Sequence, residues 1–331
     1  MSARPHVVVT RKIPEAGLQL LRQTADVWVN PKDRPLTREE LLRQAARAHG
    51  VIGLLTDRID AGFFDAAPLL RGYANYAVGY DNIDVAEATR RGLPVSNTPD
   101  VLTTATAELA WALIFAVARH IVSSDGVMRS GNWPGWGPLQ FLGREVTGRT
   151  LGIFGPGRIG TAVARMSRGF SMPVVYCGGR RPNEILEREL GAKKLSFDAF
   201  LSTADVISIN APLTPDTRHA FDAAAFARMK PDAILVNTGR GPIIDEAALV
   251  VALREGRIAG AGLDVYEFEP RMAEGLAAQP NAVITPHIGS ATDTARNGMA
   301  ELAAKNLLAM LAGRTPPTCL NPEVLPGSPT G

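Results

Sequence analysis

One ten-residue stretch constrains this chain more than any other: Leu151-Gly152-Ile153-Phe154-Gly155-Pro156-Gly157-Arg158-Ile159-Gly160. A short apolar run ends on G-x-G-x-x-G, and Thr161-Ala-Val-Ala-Arg-Met continues with small residues at helical spacing. Strand, glycine turn and helix in that order bring a helix N-terminus to a phosphate group. Gly155 permits the tight turn, Gly157 lets the backbone approach a pyrophosphate, and Gly160 lets the helix pack closely on the strand. Alone, the three glycines read equally well as an ordinary turn; the flanking strand and helix favour a dinucleotide site. No G-K-[ST] follows, which sets aside a Walker loop.

The rest of the chain fits such a fold. Before residue 100, apolar runs at Val7–Val9, Val27–Val29, Val51–Leu55, Tyr73–Ala77 and Pro94–Ser96 alternate with helical segments at Pro14–Arg22, Thr37–Ala48 and Asp84–Arg91. Thr37 with Glu40 three residues on has the pattern of a capping box. A long Ala-rich helix is expected over Val101–Val122, and a second strand series follows: Leu151–Phe154, Val174–Tyr176, Val206–Ile209, Ile234–Val236, Gly262–Val265 and Val283–Ile284. One more helix, Thr292–Leu311, precedes a Pro-rich tail. The expected fold class is α/β, with two Rossmann-like or flavodoxin-like doubly wound parallel-sheet domains. The dinucleotide-binding domain, 100–290, is inserted in a substrate domain made of 1–99 and 291–331. A length of 331 residues suits two domains.

Composition narrows the partners. Thirty-five basic against thirty-three acidic residues leave +2, with no basic stripe, so no nucleic-acid partner is expected. The apolar run Leu109–Ala118 is about half a membrane span, so no membrane partner is expected either. Cys177 and Cys319 are the two cysteines; they suggest neither a disulfide framework nor a metal site. No signal peptide is visible before His6, and a cytoplasmic location is the expectation.

The strand after the glycine turn bears on the choice of dinucleotide. An NAD site usually carries Asp or Glu about 20 residues past the glycines, on the ribose 2′-OH. Here Val174-Val175-Tyr176-Cys177 leads into Gly178-Gly179-Arg180-Arg181, with no carboxylate. Two guanidiniums stand where a 2′-phosphate would lie, so NADP is the expected cofactor, with NAD possible.

Three later strand ends carry polar residues. Arg240 follows Ile234–Val236, Glu269 follows the Gly262–Val265 run, and His287 follows Val283–Ile284. Singly they read as a surface charge, a loop acid and a core histidine. Together, beside a nucleotide cradle, they supply an anion clamp, an orienting carboxylate and an acid/base. Hydride reduction of a carbonyl needs a proton on its oxygen; an imidazolium at His287 would supply it, and Glu269 would favour the charged form.

At these residues the chain resembles the D-isomer-specific 2-hydroxyacid dehydrogenases. The resemblance runs from Asn75-Tyr-Ala-Val-Gly-Tyr-Asp-Asn-Ile-Asp84 through the glycine turn, Pro212-Leu-Thr-Pro-Asp-Thr217 and Val236-Asn-Thr-Gly-Arg240-Gly to the Glu269 and His287 segments. Asn75–Asp84 and Gly131-Asn-Trp-Pro-Gly-Trp136-Gly-Pro-Leu look most like the glyoxylate/hydroxypyruvate reductase branch. The resemblance implies that Arg240 pairs with the substrate carboxylate and polarises its carbonyl. His287 would be the proton donor and Glu269 its partner. Val78 and Gly79 would offer backbone N–H groups to the substrate carboxylate, and Asp264 would lie near the nicotinamide carboxamide. Thr106, Arg158, Ile159, Pro212, Thr217 and Thr238 would contact cofactor. It further implies a homodimer pairing through Leu109–Val122 and the loop Gly131–Pro138, with Trp136 near the neighbouring subunit's substrate. A D-3-phosphoglycerate or other D-2-hydroxyacid dehydrogenase, and a non-catalytic nucleotide-sensing corepressor, are the competing readings. Formate dehydrogenases share the fold, but their pattern lacks the Glu partner.

Overall fold

The computed structural model describes residues 4–325. The chain forms two units: one runs to Leu102 and resumes at Ser290, and the other, Thr103–Gly289, is inserted between those pieces.

The first unit is built on β1 (His6–Val9), β2 (Asp26–Val29), β3 (Gly50–Gly53), β4 (Tyr73–Asn75) and β5 (Val95–Ser96), in the order β2-β1-β3-β4-β5. Every neighbouring pair is parallel. Val7, Val8 and Val9 are fully buried, as central strands covered on both faces should be. Helix Glu15–Thr24 packs on helix Asp293–Leu311 so closely that a Cβ on Gly17 would meet the Ala300 carbonyl. Thr37 caps helix Arg38–Ala45 with the reciprocal Glu40 bond that its spacing suggests.

The second unit carries β6 (Leu151–Phe154), β7 (Val174–Cys177), β8 (Lys193–Lys194), β9 (Val206–Ile209), β10 (Ile234–Asn237), β11 (Gly260–Leu263) and β12 (Ala282–Ile284). Their order is β12-β11-β10-β9-β6-β7-β8, again all parallel. Side chains alternate between faces. Leu151, Ile153, Val174, Tyr176, Val206, Ile234 and Val236 join helix Thr103–Ala118 in one core. Phe154, Val175, Cys177, Ile207, Ile209, Leu235 and Leu263 form the other. Because the strands are parallel, the turns after Phe154, Cys177, Ile209, Asn237, Leu263 and Ile284 all open on one edge, where such sheets bind ligands.

The expected single helix over Val101–Val122 is corrected. It runs Thr103–Ala118 and a separate helix occupies Ile121–Arg129, the two bent by 66°. His120 adopts the left-handed conformation (φ 54°) and its carbonyl accepts the Ser124 N–H, so a new helix starts there. Among the described residues no single helix is long and apolar enough to cross a membrane. The helix after the glycine turn begins at Arg158, three residues before Thr161. β8 has no sequence signature, because it consists of two exposed lysines paired to Val175 and Tyr176.

Candidate active site

The glycine turn has a cradle's geometry. Gly155 has φ +91°, and its N–H donates to the Cys177 carbonyl at 3.0 Å. A Cβ there would collide with Ala211 N, and one on Gly160 with the Gly155 carbonyl. Gly157, the N-cap of helix Arg158–Met166, faces open space. Gly155 and Gly160 are therefore demanded by packing, whereas at Gly157 the space belongs to whatever docks on the helix N-terminus. Arg158 is exposed at the first helical position, and Ile159 leans on the core beneath.

Beside the turn lies a cavity of about 540 Å³, lined by Gly155, Pro156, Gly157, Gly179, Arg181, Asn210 and Pro212 among others. Its far wall is the loop after β7. Gly178 (φ +89°) and Gly179 (φ +75°) turn the chain sharply, and Lys194 Nζ donates to the Gly179 carbonyl at 3.0 Å. Arg180 and Arg181 are exposed, and among the described residues neither guanidinium has a protein partner. Thr217 Oγ1 donates to the Pro212 carbonyl at 2.8 Å and shapes the opposite rim. The hydroxyl of Thr238 and the Oδ1 of Asn210 are buried without a partner among the described residues. A polar ligand would satisfy such atoms. These features fit a dinucleotide.

Two asparagines escaped the sequence reading. Asn183 Nδ2 donates to the Pro156 carbonyl (2.8 Å) and to Thr161 Oγ1 (3.1 Å), while its Oδ1 caps helix Glu184–Leu190. It thereby ties the Arg180–Arg181 turn to the glycine turn. Asn210 directly follows β9 and lines the cavity. An Asn immediately after an apolar strand was the available signal for Asn210. For Asn183 the available signal was an Asn just before a helical run, the residue type of an N-cap.

Along the same edge, three strand ends bring polar groups together. After β10, Asn237 Oδ1 accepts the Gly239 N–H (3.0 Å), and its Nδ2 donates to the Arg240 carbonyl (2.9 Å). After β11, Asp264 is 1% exposed and accepts three bonds at 2.7 Å, from Thr285 Oγ1, Ile288 N and Gly289 N. Burial nevertheless holds its carboxyl above the usual range. Those bonds pin the segment after β12, in which His287 takes a left-handed conformation (φ 56°). A Cβ on Gly289 would lie 3.1 Å from Asp264 Oδ2 and 3.4 Å from Thr106 Cγ2, so Asp264 and Thr106 bracket this glycine.

His287 Nδ1 lies 2.9 Å from Glu269 Oε2, and Glu269 Oε1 accepts the Tyr266 N–H at 3.1 Å. Burial alone would raise the Glu269 carboxyl. The His287 hydrogen bond and charge, the Tyr266 N–H and the Arg240 charge outweigh it and hold the group below the usual range. Glu269 is therefore a carboxylate at neutral pH. Such a pair, with a cation beside it, can pass a proton to an oxyanion and steady an anionic substrate. Among the described residues no group of three or more His, Cys, Asp or Glu is arranged to hold a metal ion.

In the first unit, Val78 and Gly79 form a half-buried turn held by its carbonyls: Asn97 Nδ2 donates to Val78 O and Asn75 Nδ2 to Gly79 O, each at 2.8 Å. Among the described residues neither the Val78 nor the Gly79 N–H meets an acceptor. Trp136 is on the surface of the inserted unit, 82% exposed, and Leu139 and Leu142 of the same loop are exposed too.

Residues 111–289 match the family profile described as D-isomer specific 2-hydroxyacid dehydrogenase, NAD binding domain. Over 326 residues, 97% of each chain, this sequence is 50% identical to a glyoxylate reductase of Thermococcus onnurineus. Among solved structures, the TT0316 protein of Thermus thermophilus superposes with a TM-score of 0.89 at 45% identity, covering 95% of this chain and 99% of that one. An NADPH-dependent glyoxylate/hydroxypyruvate reductase of Sinorhizobium meliloti, in complex with NADP and malonate, does so with a TM-score of 0.84 at 34% identity, covering 96% and 97%. The chain belongs to the D-isomer specific 2-hydroxyacid dehydrogenase family. It is an NAD(P)-dependent oxidoreductase.

Proposed function

We propose that this enzyme reduces small 2-keto acids, glyoxylate and hydroxypyruvate, to glycolate and D-glycerate, with NADPH preferred over NADH. The observation that carries the reading is the 2.9 Å contact of His287 with Glu269, on the sheet edge that also bears the glycine cradle. The names of its relatives agree with it.

With Nδ1 engaged by Glu269, Nε2 of His287 is the nitrogen that carries the proton to the substrate oxygen. Glu269 stabilises the imidazolium and fixes the ring. Arg240 pairs with the substrate carboxylate and polarises the carbonyl, and the Val78 and Gly79 N–H groups bind the same carboxylate. When bound, the nicotinamide supplies the hydride for the carbonyl carbon. Gly155, Gly157, Arg158, Ile159 and Gly160 hold its pyrophosphate; Thr106, Pro212, Thr217, Thr238 and Asp264 line the remaining contacts. Arg180 and Arg181 take the 2′-phosphate.

On this reading residues 1–99 with 291–331 are the substrate domain and 100–290 the dinucleotide-binding domain. The enzyme acts in the cytoplasm as a homodimer. Exposed Ile121, Val122 and Met128 on helix Ile121–Arg129, with Trp133, Trp136, Leu139 and Leu142 beyond it, supply an apolar surface that a second copy would cover. Trp136 would then reach the partner's substrate.

Steady-state kinetics on several 2-keto acids with NADPH and with NADH test the proposal. Turnover of glyoxylate or hydroxypyruvate, with a higher kcat/KM for NADPH, is expected. Tight cofactor binding without turnover of any keto acid would favour a nucleotide sensor, and equal use of NADH would withdraw the NADPH preference.

A further inference from the structure

The segment carrying Glu269 is short of packing. Residues 268–272 are all exposed or partly exposed, Phe268 at 60%. Apolar burial therefore does little to decide where the Glu269 backbone sits. What brackets the segment is a second carboxylate. Glu246 opens helix Glu246–Arg254, behind the Asp245 N-cap, and is 3% exposed. Its Oε1 accepts the Glu267 N–H at 2.6 Å, and its Oε2 accepts the Ala273 N–H at 2.8 Å. One buried side chain thus clasps both ends of the loop, and Glu269 lies between the clasped residues. Burial, with the Glu267 and Glu269 charges nearby, pushes the Glu246 carboxyl up, while the two N–H donors pull it down. Inside the clasp, Arg271 N donates to the Phe268 carbonyl at 2.9 Å, and Tyr266 N, just before it, donates to Glu269 Oε1 at 3.1 Å. The Glu267 carboxylate is itself buried and is taken by His219 Nε2 (2.6 Å) and Arg218 (3.1 Å), so its backbone N–H, not its side chain, is what Glu246 holds.

We propose that Glu246 is a positioning residue for the reaction: its carboxylate holds the two ends of the 267–273 loop and so sets where Glu269 meets His287. The inference rests on the reading of Glu269 and His287 as the acid/base pair. Glu246 makes no hydrogen bond to either of them. Its charge is felt at Glu269 through space, and its hold on the loop passes through the backbone; E246D, keeping the charge, separates the two effects when set beside E246Q. Glu246→Gln replaces one acceptor oxygen by an NH₂ that faces a backbone N–H, so one end of the clasp opens. Glu246→Asp keeps the charge and both acceptors on a shorter arm.

The test is kcat/KM for glyoxylate with NADPH, measured against pH, for wild type, E246Q, E246D, E269Q and the double variant E246Q/E269Q. NADPH affinity and melting temperature are recorded for each. A displaced catalytic group costs up to about 100-fold, so E246Q is expected to lose roughly 10- to 100-fold in kcat/KM and E246D less. NADPH affinity should stay within about twofold of wild type, because the clasp lies outside the glycine cradle. The alkaline limb of E246Q should move in the same direction as that of E269Q. Added to E269Q, E246Q should cost less than about threefold more, since the two changes disable one device. Losses that multiply in the double variant, or an E246Q limb that stays at its wild-type position while E269Q moves, would overturn the positioning role and leave the acid/base pair standing. An E269Q limb that does not move would overturn the pair itself, and the inference with it.

Discussion

Gly241 and Tyr266 meet backbone to backbone, so closely that a methyl group on Gly241 would fall inside the Tyr266 carbonyl. That approach brings the Arg240 turn against the segment leading to Glu269, and the Arg240 charge contributes to holding the Glu269 carboxyl low. Gly241→Ala should therefore separate the two turns. Overpacking typically costs about 1–3 kcal/mol. A lower melting temperature is expected, with a fall in kcat for keto-acid reduction. A variant as stable and active as wild type would mean that the turns can part without consequence.

The arginine turn predicts a cofactor switch. Replacing Arg180 and Arg181 together by Ala should weaken NADPH far more than NADH, since only NADPH carries the 2′-phosphate. Charge-assisted bonds contribute enough that roughly a tenfold or greater rise in KM for NADPH is expected. Comparing KM for both cofactors decides it; equal rises would remove these residues from the phosphate site. Replacing Asn183 by Ala, which unties this turn from the glycine turn, should disturb both cofactors.

The Glu269 carboxyl is held below its usual range despite partial burial. It therefore stays charged through neutral and mildly acidic pH, and the stability it contributes is present above the ordinary Glu range and lost only as pH falls through its lowered value. Glu269→Gln removes that charge. On the proposed mechanism reduction needs protonated His287, which then loses its stabilising anion, so the alkaline limb of kcat/KM should move to lower pH. In the oxidation direction, which needs neutral His287, the acid limb should move down as well. His287→Ala should lower kcat at every pH by about 10²- to 10⁴-fold. Full activity without the imidazole would place the proton donor elsewhere.

Asp264 has a different balance: burial raises its carboxyl although three donors point at it. Asp264→Asn leaves an NH₂ group facing at least one of those donors. An unsatisfied buried group costs about 1–3 kcal/mol, and the cost should fall on the segment holding His287. Amide exchange of Ile288 and Gly289 should quicken and kcat should drop. Unchanged protection at both amides would show that this segment is held by other contacts.

Much of this was legible along the chain because it depends on local patterns. The glycine turn lies between a strand and a helix in consecutive residues, and Thr37 with Glu40 makes a capping box within one turn of helix. The break at His120 was not legible. Apolar residues resume at Ile121 and Val122 just past Arg119 and His120, and only the left-handed backbone at His120 divides the helix. β8 was equally hidden, since two lysines become a strand only by pairing with the neighbouring β7.

The sequence by itself determined the parallel α/β architecture, the dinucleotide cradle, and the order in which Arg240, Glu269 and His287 follow their strands. Period-two burial and glycine spacing are properties of neighbouring residues, and these suffice. The tertiary structure alone decided what those side chains touch. His287 and Glu269 are 18 residues apart, Glu246 reaches Ala273 across 27, and Asn183 reaches Pro156 across 27. No local pattern encodes such pairs. They arise because parallel strands deliver every turn to one edge of the sheet, where groups remote along the chain become neighbours.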